Sequence, residues 1–430
     1  MPEDPLTLQT LQNYQLGKLR DTVRYAGARS PFYSGRISSV AAESLVDLPQ
    51  ISRLPFTTAE DIRADSRRFL TLPPHDVARI VTLQTSGTTG RSKRFFFTKE
   101  ELEHTIDFFA SGMSTLVKTG QKVLILLPGD KPDSVGDLLA RGLERIGVEG
   151  IVHGPVQDVR STVEEIVRRR IDCLVGIPTQ ALALARGKAG RAILPGMIQS
   201  VLLSTDSIPA AIVNALVHAW GCRVFKHYGI TEAGLGAAVD CIARDGYHLR
   251  EADLLFEIVD PQSGTPLPDG ETGEIVMTTL TRIGMPLIRY RTGDISRIIA
   301  ETCSCGSVTK RLAAIRERLD GRAVLADGST LTISDMDEAL FGVEEILNYK
   351  ATLTIDKGLD RLEVTICVEG DGRTAARKAA ESLMAVPSVA VGLSGGSLRL
   401  APVLTGHQNW FTSGVAKRKI TDDRVGHSIK

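Results

Sequence analysis

The chain carries at residues 85–93 the string Thr85-Ser86-Gly87-Thr88-Thr89-Gly90-Arg91-Ser92-Lys93. The string follows a short apolar run, Ile80–Leu83, which predicts a strand. Its first six residues are four hydroxyl residues and two glycines, so that backbone N–H groups can approach an anion closely. The hydroxyl donors and the charge of Lys93 favour binding of a polyphosphate. An ordinary loop has the same composition, and the string lacks the Gly-Lys-Ser/Thr ending of a Walker loop.

The composition is that of a globular protein without a charge bias. The 430 residues suggest two or three domains, and 43% of them are hydrophobic. Lys plus Arg and Asp plus Glu both number 51, which gives no support for nucleic acid or an anionic membrane surface as a partner. We expect a cytoplasmic protein, because the sequence contains neither an apolar run of 18 residues nor a recognisable signal peptide.

Strands and helices alternate after the glycine-rich string. The predicted strands are 123–127, 151–152, 174–177 and 201–204, with helices over 134–146 and 160–170. This alternation predicts a mainly parallel sheet that is covered on both faces. Ligands bind at the carboxyl ends of such strands, where the string 85–93, the turn Ser204–Asp206 and the segment after Phe225 all lie.

A second string, His227-Tyr228-Gly229-Ile230-Thr231-Glu232, follows the predicted strand Arg223–Phe225. Its simplest interpretation is a glycine turn capped by Thr231. The residue types also suit a nucleotide, because an aromatic ring stacks on a base, a hydroxyl contacts phosphate and a carboxylate holds Mg²⁺.

Residues 255–300 predict a β-rich subdomain. Strands are expected at 255–259, 273–279 and 295–299, with turn sequences between them. Just before the last strand lies a third string, Tyr290-Arg291-Thr292-Gly293-Asp294. A β-turn with a salt-bridged Asp294 is one interpretation of this string.

In this order, the three strings resemble the motifs of the acyl-adenylate-forming (ANL) superfamily, which contains acyl-CoA synthetases, peptide-synthetase adenylation domains and luciferases. The segment Leu54–Arg63 resembles an N-terminal signature of its phenylacetate-CoA ligase branch. The resemblance covers nearly the whole chain. It implies an α/β fold with a large N-terminal adenylate-forming domain, residues 1–318, of mainly parallel sheets plus the β-rich subdomain. A small, mobile α/β lid domain would follow at residues 319–430.

The resemblance also implies which residues bind the nucleotide. The phosphates would lie against Thr85, Ser86, Gly87, Thr88, Thr89, Gly90 and Lys93. Tyr228 and Gly229 would line the adenine site, and Thr231 would touch phosphate. Glu232 would bind Mg²⁺, and Asp294 would accept hydrogen bonds from the ribose hydroxyls.

Three further positions match the superfamily less closely. Asp206 falls near the expected adenine site, but Thr205 and Ser207 replace the usual glycine–alanine pair. In the segment 315–320, Arg318 would contact ribose and Asp320 would be the hinge between the two domains. The same segment also fits a charged helix surface.

Four potential metal ligands flank the β-rich subdomain. Cys241 and His248 precede it, and Cys303 and Cys305 follow it. Three thiolates and one imidazole complete a tetrahedral zinc shell, although a tight turn and a surface histidine are the alternative. Members of the phenylacetate-CoA ligase branch carry comparable residues here, which implies a structural Zn²⁺ that clips the subdomain of about residues 240–310.

The segment Trp410–Lys419 resembles the catalytic-lysine loop of the superfamily. Val415 stands where lysine is usual, so we predict that Lys417 is the catalytic lysine, with Lys419 as the alternative. A solvated basic tail is the simpler interpretation.

The resemblance implies an AMP-forming acid–thiol ligase. ATP and Mg²⁺ would activate a carboxylic acid as an acyl-adenylate, with Lys417, Glu232 and Thr231 as catalytic residues, and coenzyme A would then take the acyl group. Two alternatives stay open: transfer to a carrier protein or an amine, and a degenerate nucleotide-binding relative with a regulatory role. The resemblance leaves the acid undefined and allows a homodimer.

Overall fold

The computed structural model describes residues 6–38, 40–83, 92–315, 317–406 and 418–424. The predicted phosphate-loop residues from Thr85 to Gly90, and the predicted catalytic Lys417, lie outside the described residues. Helices in the described residues are α1 (Leu8–Arg29), α2 (Ala41–Ser44), α3 (Ala59–Asp65), α4 (Lys99–Ser114), α5 (Val135–Arg145), α6 (Val159–Arg169), α7 (Pro178–Arg186), α8 (Ala210–Trp220), α9 (Ile333–Phe341), α10 (Gly372–Met384) and α11 (Pro387–Ser394).

The strands are short except for one long hairpin. They are β1 (Arg79–Leu83), β2 (Lys93–Phe97), β3 (Lys122–Ile125), β4 (Glu149–Val152), β5 (Cys173–Gly176), β6 (Ser200–Leu203), β7 (Arg223–Tyr228), β8 (Ala238–Asp240), β9 (Tyr247–Leu249), β10 (Leu254–Val259), β11 (Gly273–Thr279), β12 (Tyr290–Ser296), β13 (Ile298–Ile299), β14 (Arg311–Leu312), β15 (Glu317–Arg318), β16 (Ala323–Val324), β17 (Thr330–Leu331), β18 (Ile346–Asp356), β19 (Leu359–Val368), β20 (Leu398–Leu400), β21 (Leu404–Thr405) and β22 (Thr421–Asp422).

The chain divides into two compact units, and the first contains Met1–Thr115, Arg141–Ile146 and His227–Ile315. Strands β1 and β2 pair antiparallel, on either side of the predicted phosphate loop. The antiparallel strands β10, β11 and β12 follow one another, with a bulge between Glu274 and Val276 on β11. The last two residues of β7 pair with β8, which continues antiparallel through β9 and β14 to β13.

The second unit contains Leu116–Ala140, Gly147–Lys226 and Arg316–Lys430. Its parallel strands lie in the order β4-β3-β5-β6-β7. Strands β3, β5 and β6 are buried almost throughout, as expected for a sheet covered on both faces. The prediction of a parallel sheet is therefore confirmed.

The C-terminal part of the second unit has its own small sheet. The hairpin of β18 and β19 forms its centre, with β20 and β21 parallel to β19 and β22 parallel to β18. Helices α9, α10 and α11 bury apolar residues in the same unit. The domain boundary at residue 318 stays a prediction. No helix among the described residues is long and apolar enough to cross a membrane.

The strand expected at 295–299 is wrong in its limits. Strand β12 begins at Tyr290 and ends at Ser296, and the separate β13 holds Ile298 and Ile299. The string Tyr290–Asp294 is thus a strand, because Tyr290 and Arg291 pair with Met277 and Val276 of β11. Gly293 has a φ of 76°, which glycine adopts without strain, and this marks the irregular part of the ladder.

Glu101 ties helix α4 to a loop far away in the chain. Thr98 and Glu101 form the predicted capping box, since each side chain accepts a hydrogen bond from the other's backbone N–H group. The second carboxylate oxygen of Glu101 accepts hydrogen bonds from the N–H groups of Ile283 and Gly284, both at 2.8 Å. Glu101 is only 5% exposed, and its loss would leave the N–H groups of Ile283 and Gly284 without their hydrogen-bond acceptor.

We expect Glu101→Ala to lower the free energy of unfolding by about 2–4 kcal/mol, since the N–H groups of Ile283 and Gly284 lose a charged acceptor. Glu101→Gln should lower it less, because one carbonyl oxygen remains. Urea titration of the full chain at neutral pH measures both changes.

The matched control is Glu100→Ala, which removes an exposed carboxylate from the same helical turn. We expect a small change for this variant. Equal midpoints for Glu101→Ala and Glu100→Ala would contradict a structural role of Glu101 in tying α4 to the loop.

Candidate active site

A buried ion pair joins residues of the first and second strings. Lys93 is the first residue of β2, and Glu232 lies in the short 3-10 turn Thr231–Ala233 that follows β7. The Lys93 Nζ atom lies 2.5 Å from Glu232 Oε1, and their side chains are 14% and 8% exposed. The Tyr290 hydroxyl of the third string donates to the same oxygen at 2.9 Å. The structure therefore brings one residue of each string to a single carboxylate.

These neighbours keep the Glu232 carboxylate ionised. Burial raises the pKa of Glu232, but the charge of Lys93 and the hydrogen bonds from Lys93 and Tyr290 outweigh burial, so the pKa falls below its usual value. A buried, ionised carboxylate is a ligand that hard divalent cations prefer. The donor chemistry of Glu232 thus fits the predicted Mg²⁺.

Arg282 supports this turn, although no sequence pattern marks its role. Its guanidinium donates to the carbonyl oxygen of Glu232 at 2.9 Å and to that of Phe96 on β2 at 3.0 Å. It also lies over the Phe97 ring, 4.5 Å from the ring centroid. The arginine therefore links the strand that begins with Lys93 to the turn that carries Glu232. Only the folded chain reveals this contact.

Tyr228 and Asp294 form a second buried pair. The Tyr228 hydroxyl donates to Asp294 Oδ2 at 2.6 Å, and both residues are buried. The resemblance assigns these residues to adenine and to ribose, which are adjacent parts of one nucleoside. Their contact is consistent with that assignment, which stays a prediction.

His227 lies between aromatic rings next to this pair. Its ring centroid is 6.1 Å from that of Phe108 and 6.3 Å from that of Phe109. Burial lowers the pKa of His227 to about 4, so the imidazole is neutral at physiological pH. A side chain at Gly236 would collide with the Phe108 ring, because a Cβ atom there would lie 2.3 Å from it.

The structure also describes four of the other residues that the resemblance assigns to nucleotide binding. Thr231 and Gly229 lie in the same turn region as Glu232, whereas Arg318 is a partly buried residue of the short strand β15. Asp206 follows β6 and accepts a hydrogen bond from Arg418 Nε at 2.8 Å. The alternative lysine, Lys419, is exposed.

The predicted metal ligands come together. The donor atoms of Cys241, His248, Cys303 and Cys305 all lie within 4.8 Å of one another. The thiol sulfurs of Cys241 and Cys303 are 3.5 Å apart, and Cys305 Sγ lies 3.3 Å from His248 Nε2. The other ring nitrogen of His248 lies 2.8 Å from the hydroxyl of Thr309, which fixes the orientation of the ring. Burial lowers the pKa of His248, and a neutral imidazole is the form that binds metal.

Comparison with known proteins finds relatives whose sequences align with most of this chain. A phenylacetate-coenzyme A ligase of Thermus thermophilus is 28% identical over 377 residues, which cover 84% of this chain and 82% of the relative. The phenylacetate-coenzyme A ligase of Escherichia coli is 25% identical and covers 85% of this chain and 84% of its own length.

The fold also matches a solved structure. The crystal structure of 2-hydroxyisobutyryl-CoA ligase in the postadenylation state, in complex with 2-HIB-AMP, superposes with a TM-score of 0.82 at 18% identity. The superposition covers 98% of this chain and 94% of the ligase. At this identity the likeness concerns the fold alone, and it confirms the predicted fold class.

Residues 34–281, more than half of the chain, match the family model described as AMP-binding enzyme. Together with the relatives, this match confirms the predicted resemblance to phenylacetate-CoA ligases and the predicted class of AMP-forming ligases. The chain belongs to the AMP-binding enzyme family.

Proposed function

We propose that this enzyme activates a carboxylic acid with ATP and transfers the acyl group to coenzyme A. A carboxylate oxygen attacks the α-phosphorus, and the bond to pyrophosphate breaks. The thiolate of coenzyme A then attacks the carbonyl carbon of the acyl-adenylate, and AMP leaves with the electron pair. The observation that carries the proposal is the buried cluster of Lys93, Glu232 and Tyr290, with one residue from each of the three strings.

The chain's part in adenylation is to position the reactants and to offset charge. Glu232 would hold Mg²⁺, which supplies positive charge beside the phosphates. Lys93, which follows residues 85–91 in the sequence, would contact the phosphates together with Thr231. Tyr228 and Asp294 would bind the nucleoside, and the resemblance adds Asp206 and Arg318 as further nucleotide-binding residues.

The lysine of the C-terminal segment would stabilise the charge that develops at the α-phosphate. Lys417 stays the predicted catalytic residue, and Lys419 stays the alternative. Movement about Asp320 between the two half-reactions is part of this proposal and follows the resemblance, as do a homodimer and a cytoplasmic location.

We also propose that Cys241, His248, Cys303 and Cys305 hold a structural Zn²⁺. The donor set and the hydrogen bond between His248 and Thr309 support a closed tetrahedral site. These ligands leave no open position for a substrate, so the metal would stabilise the fold.

The test of catalysis is ATP–pyrophosphate exchange over a panel of aryl, fatty and small hydroxy acids. Wild type should show exchange that depends on one class of acid. Lys417→Ala should lose exchange roughly 10²–10³-fold, because one preorganised donor to the transition state is gone. Lys419→Ala should lose less than about threefold if Lys417 is the catalytic lysine, and the opposite pattern would assign the role to Lys419.

Glu232→Gln in the same assay should raise the Mg²⁺ concentration needed for half-maximal exchange, because the carboxylate charge is lost while the shape is kept. Absence of exchange with every acid, in protein that binds ATP, would contradict the ligase proposal and favour a regulatory nucleotide-binding role. If the acyl group is transferred to a carrier protein in place of coenzyme A, the exchange activity would remain and only the proposed acceptor would be wrong.

The zinc proposal predicts about one zinc per chain by elemental analysis of purified protein. Cys303→Ser should lose the metal and lower the melting temperature, because the metal-binding free energy is part of the folding free energy. Cys367→Ser, a partly buried cysteine on β19, should keep both. Wild type that purifies without zinc, or that keeps its melting temperature after a chelator removes the zinc, would overturn the zinc site.

A further inference from the structure

Arg289 is a buried arginine that directly precedes Tyr290, the first residue of β12. Its side chain is only 3% exposed, and its guanidinium bonds both carboxylate oxygens of Glu257 on β10, at 2.9 and 3.1 Å. The Nη1 atom of the same guanidinium donates to the carbonyl oxygens of Ser52 and Leu54, both at 2.8 Å. These four hydrogen bonds hold the side chain in one orientation.

The backbone of Arg289 has an unusual conformation. Its φ is 48°, in the left-handed region that residues with a side chain rarely adopt. The N–H group of Arg289 donates to the side-chain hydroxyl of Thr278 at 2.9 Å, and the guanidinium lies over the Phe56 ring, 4.0 Å from its centroid. A strained conformation persists only where the surrounding structure over-determines it, and such residues cluster at functional sites. The anchored, stacked side chain supplies that constraint here.

Thr57, in the segment before α3, fixes the backbone on both sides of Tyr290. The N–H group of Thr57 donates to the carbonyl oxygen of Arg289 at 3.0 Å, and the N–H group of Arg291 donates to the carbonyl oxygen of Thr57 at 2.9 Å. On its other side, Tyr290 pairs with β11. Thr57 belongs to the segment Leu54–Arg63, which resembles an N-terminal signature of the phenylacetate-CoA ligase branch. That segment therefore lies against the strand that carries Tyr290.

The Tyr290 hydroxyl is a neutral donor to the carboxylate that would hold Mg²⁺. It donates to Glu232 Oε1 at 2.9 Å and accepts a hydrogen bond from Lys93 Nζ at 3.3 Å. In the proposed function Lys93 also contacts the phosphates, so its ammonium is shared between them and Glu232, whereas the tyrosine hydroxyl serves Glu232 throughout. A donor behind a metal-binding carboxylate fixes the orientation of that carboxylate. The tyrosine ring must be held in place for its hydroxyl to do so.

We propose that Arg289 is a positioning residue for the metal-binding carboxylate: it anchors the start of β12 so that the Tyr290 hydroxyl stays on Glu232 Oε1. Strand β10 and residues 52–57 form the anchor, since Arg289 bonds Glu257 on the one and backbone carbonyls of the other. Arg289 therefore acts on Glu232 through Tyr290. This inference rests on the proposed function, in which Glu232 binds Mg²⁺.

The test measures nucleotide binding, which requires no turnover. Isothermal titration calorimetry gives the affinity of the full chain for α,β-methylene-ATP, an analogue that cannot release pyrophosphate, first in EDTA and then in excess Mn²⁺. The ratio of the two affinities is the metal-dependent gain. Tyr290→Phe should lower this gain roughly 10- to 100-fold, and Arg289→Lys should lower it roughly 10-fold, because the partners that orient a metal ligand have effects of this size. The affinity in EDTA should stay within about threefold.

A double-mutant cycle tests whether Arg289 acts through Tyr290. In the Tyr290→Phe background, Arg289→Lys should change the metal-dependent gain by less than about twofold, because the hydroxyl that Arg289 positions is already absent. Glu257→Gln weakens the same anchor and leaves the arginine in place, so it should lower the gain in the same direction by a smaller factor. It also provides a test should Arg289→Lys fail to fold, which melting curves will show.

The matched control is Arg311→Lys, which changes another arginine of the first unit that is only 3% exposed. Arg311 bonds the Asp245 carboxylate at 2.8 Å and the carbonyl oxygen of Glu301 at 2.7 Å. Its replacement should keep the metal-dependent gain within about twofold, because distant sites act independently. In ATP–pyrophosphate exchange, Arg289→Lys should raise the Mg²⁺ concentration for half-maximal rate, and Arg311→Lys should not.

Three outcomes would overturn the inference. An equal loss of the gain in Arg289→Lys and Arg311→Lys would show a general effect on stability. A further loss when Arg289→Lys is added to Tyr290→Phe would show that the arginine acts by another route. An unchanged gain in folded Arg289→Lys and Glu257→Gln would show that the anchor does not matter. Wild type without exchange on any acid would instead refute the proposed function, and the Mn²⁺ titrations would still decide the role of Arg289.

Discussion

The candidate active site is organised around the buried, ionised carboxylate of Glu232. Its carboxylate stays ionised because the ammonium of Lys93 and the hydroxyl of Tyr290 surround it. Removing Lys93 would leave a buried charge without its counter-charge, which proteins tolerate poorly, and removing the Tyr290 hydroxyl would take away a hydrogen bond to the same oxygen. The strand β2, the strand β12 and the turn after β7 must therefore meet at one point. Arg282 adds backbone contacts that hold two of these three elements together.

The sequence predicted this meeting point through three short strings, although it could not show the contacts. Each string combines chemically specific residues with glycines at a fixed spacing. Such a short, local pattern can be recognised in a single sequence. The strings then combine in the fold as Lys93 with Glu232 and as Tyr228 with Asp294. The four potential metal ligands were identified in the same way, since three thiols and an imidazole that flank one subdomain match the donor set of a tetrahedral zinc site, and the structure brings them together.

The features that the sequence did not reveal depend on pairing across long stretches of chain. Arg282 bonds a carbonyl 186 residues away, and Arg418 bonds an aspartate 212 residues away. The sequence around an arginine does not indicate its partner, because a buried, paired arginine and a surface arginine can have the same neighbours in the sequence. The limits of β12 were missed for a related reason: Gly293 and Asp294 favour a turn locally, but pairing with β11 decides the outcome.

The cluster of Cys241, His248, Cys303 and Cys305 has a consequence for the folding of newly made chains. Cys241 and Cys303 are 62 residues apart, and the chain between them includes β10, β11 and β12. Tyr290 and Asp294 thus lie inside the loop that a metal would close. Closing a loop of this length removes about 4 kcal/mol of chain entropy from the unfolded state. With zinc bound as proposed, a shortage of that metal during synthesis would lower the fraction of new chains in which the strands around Tyr290 and Asp294 are folded.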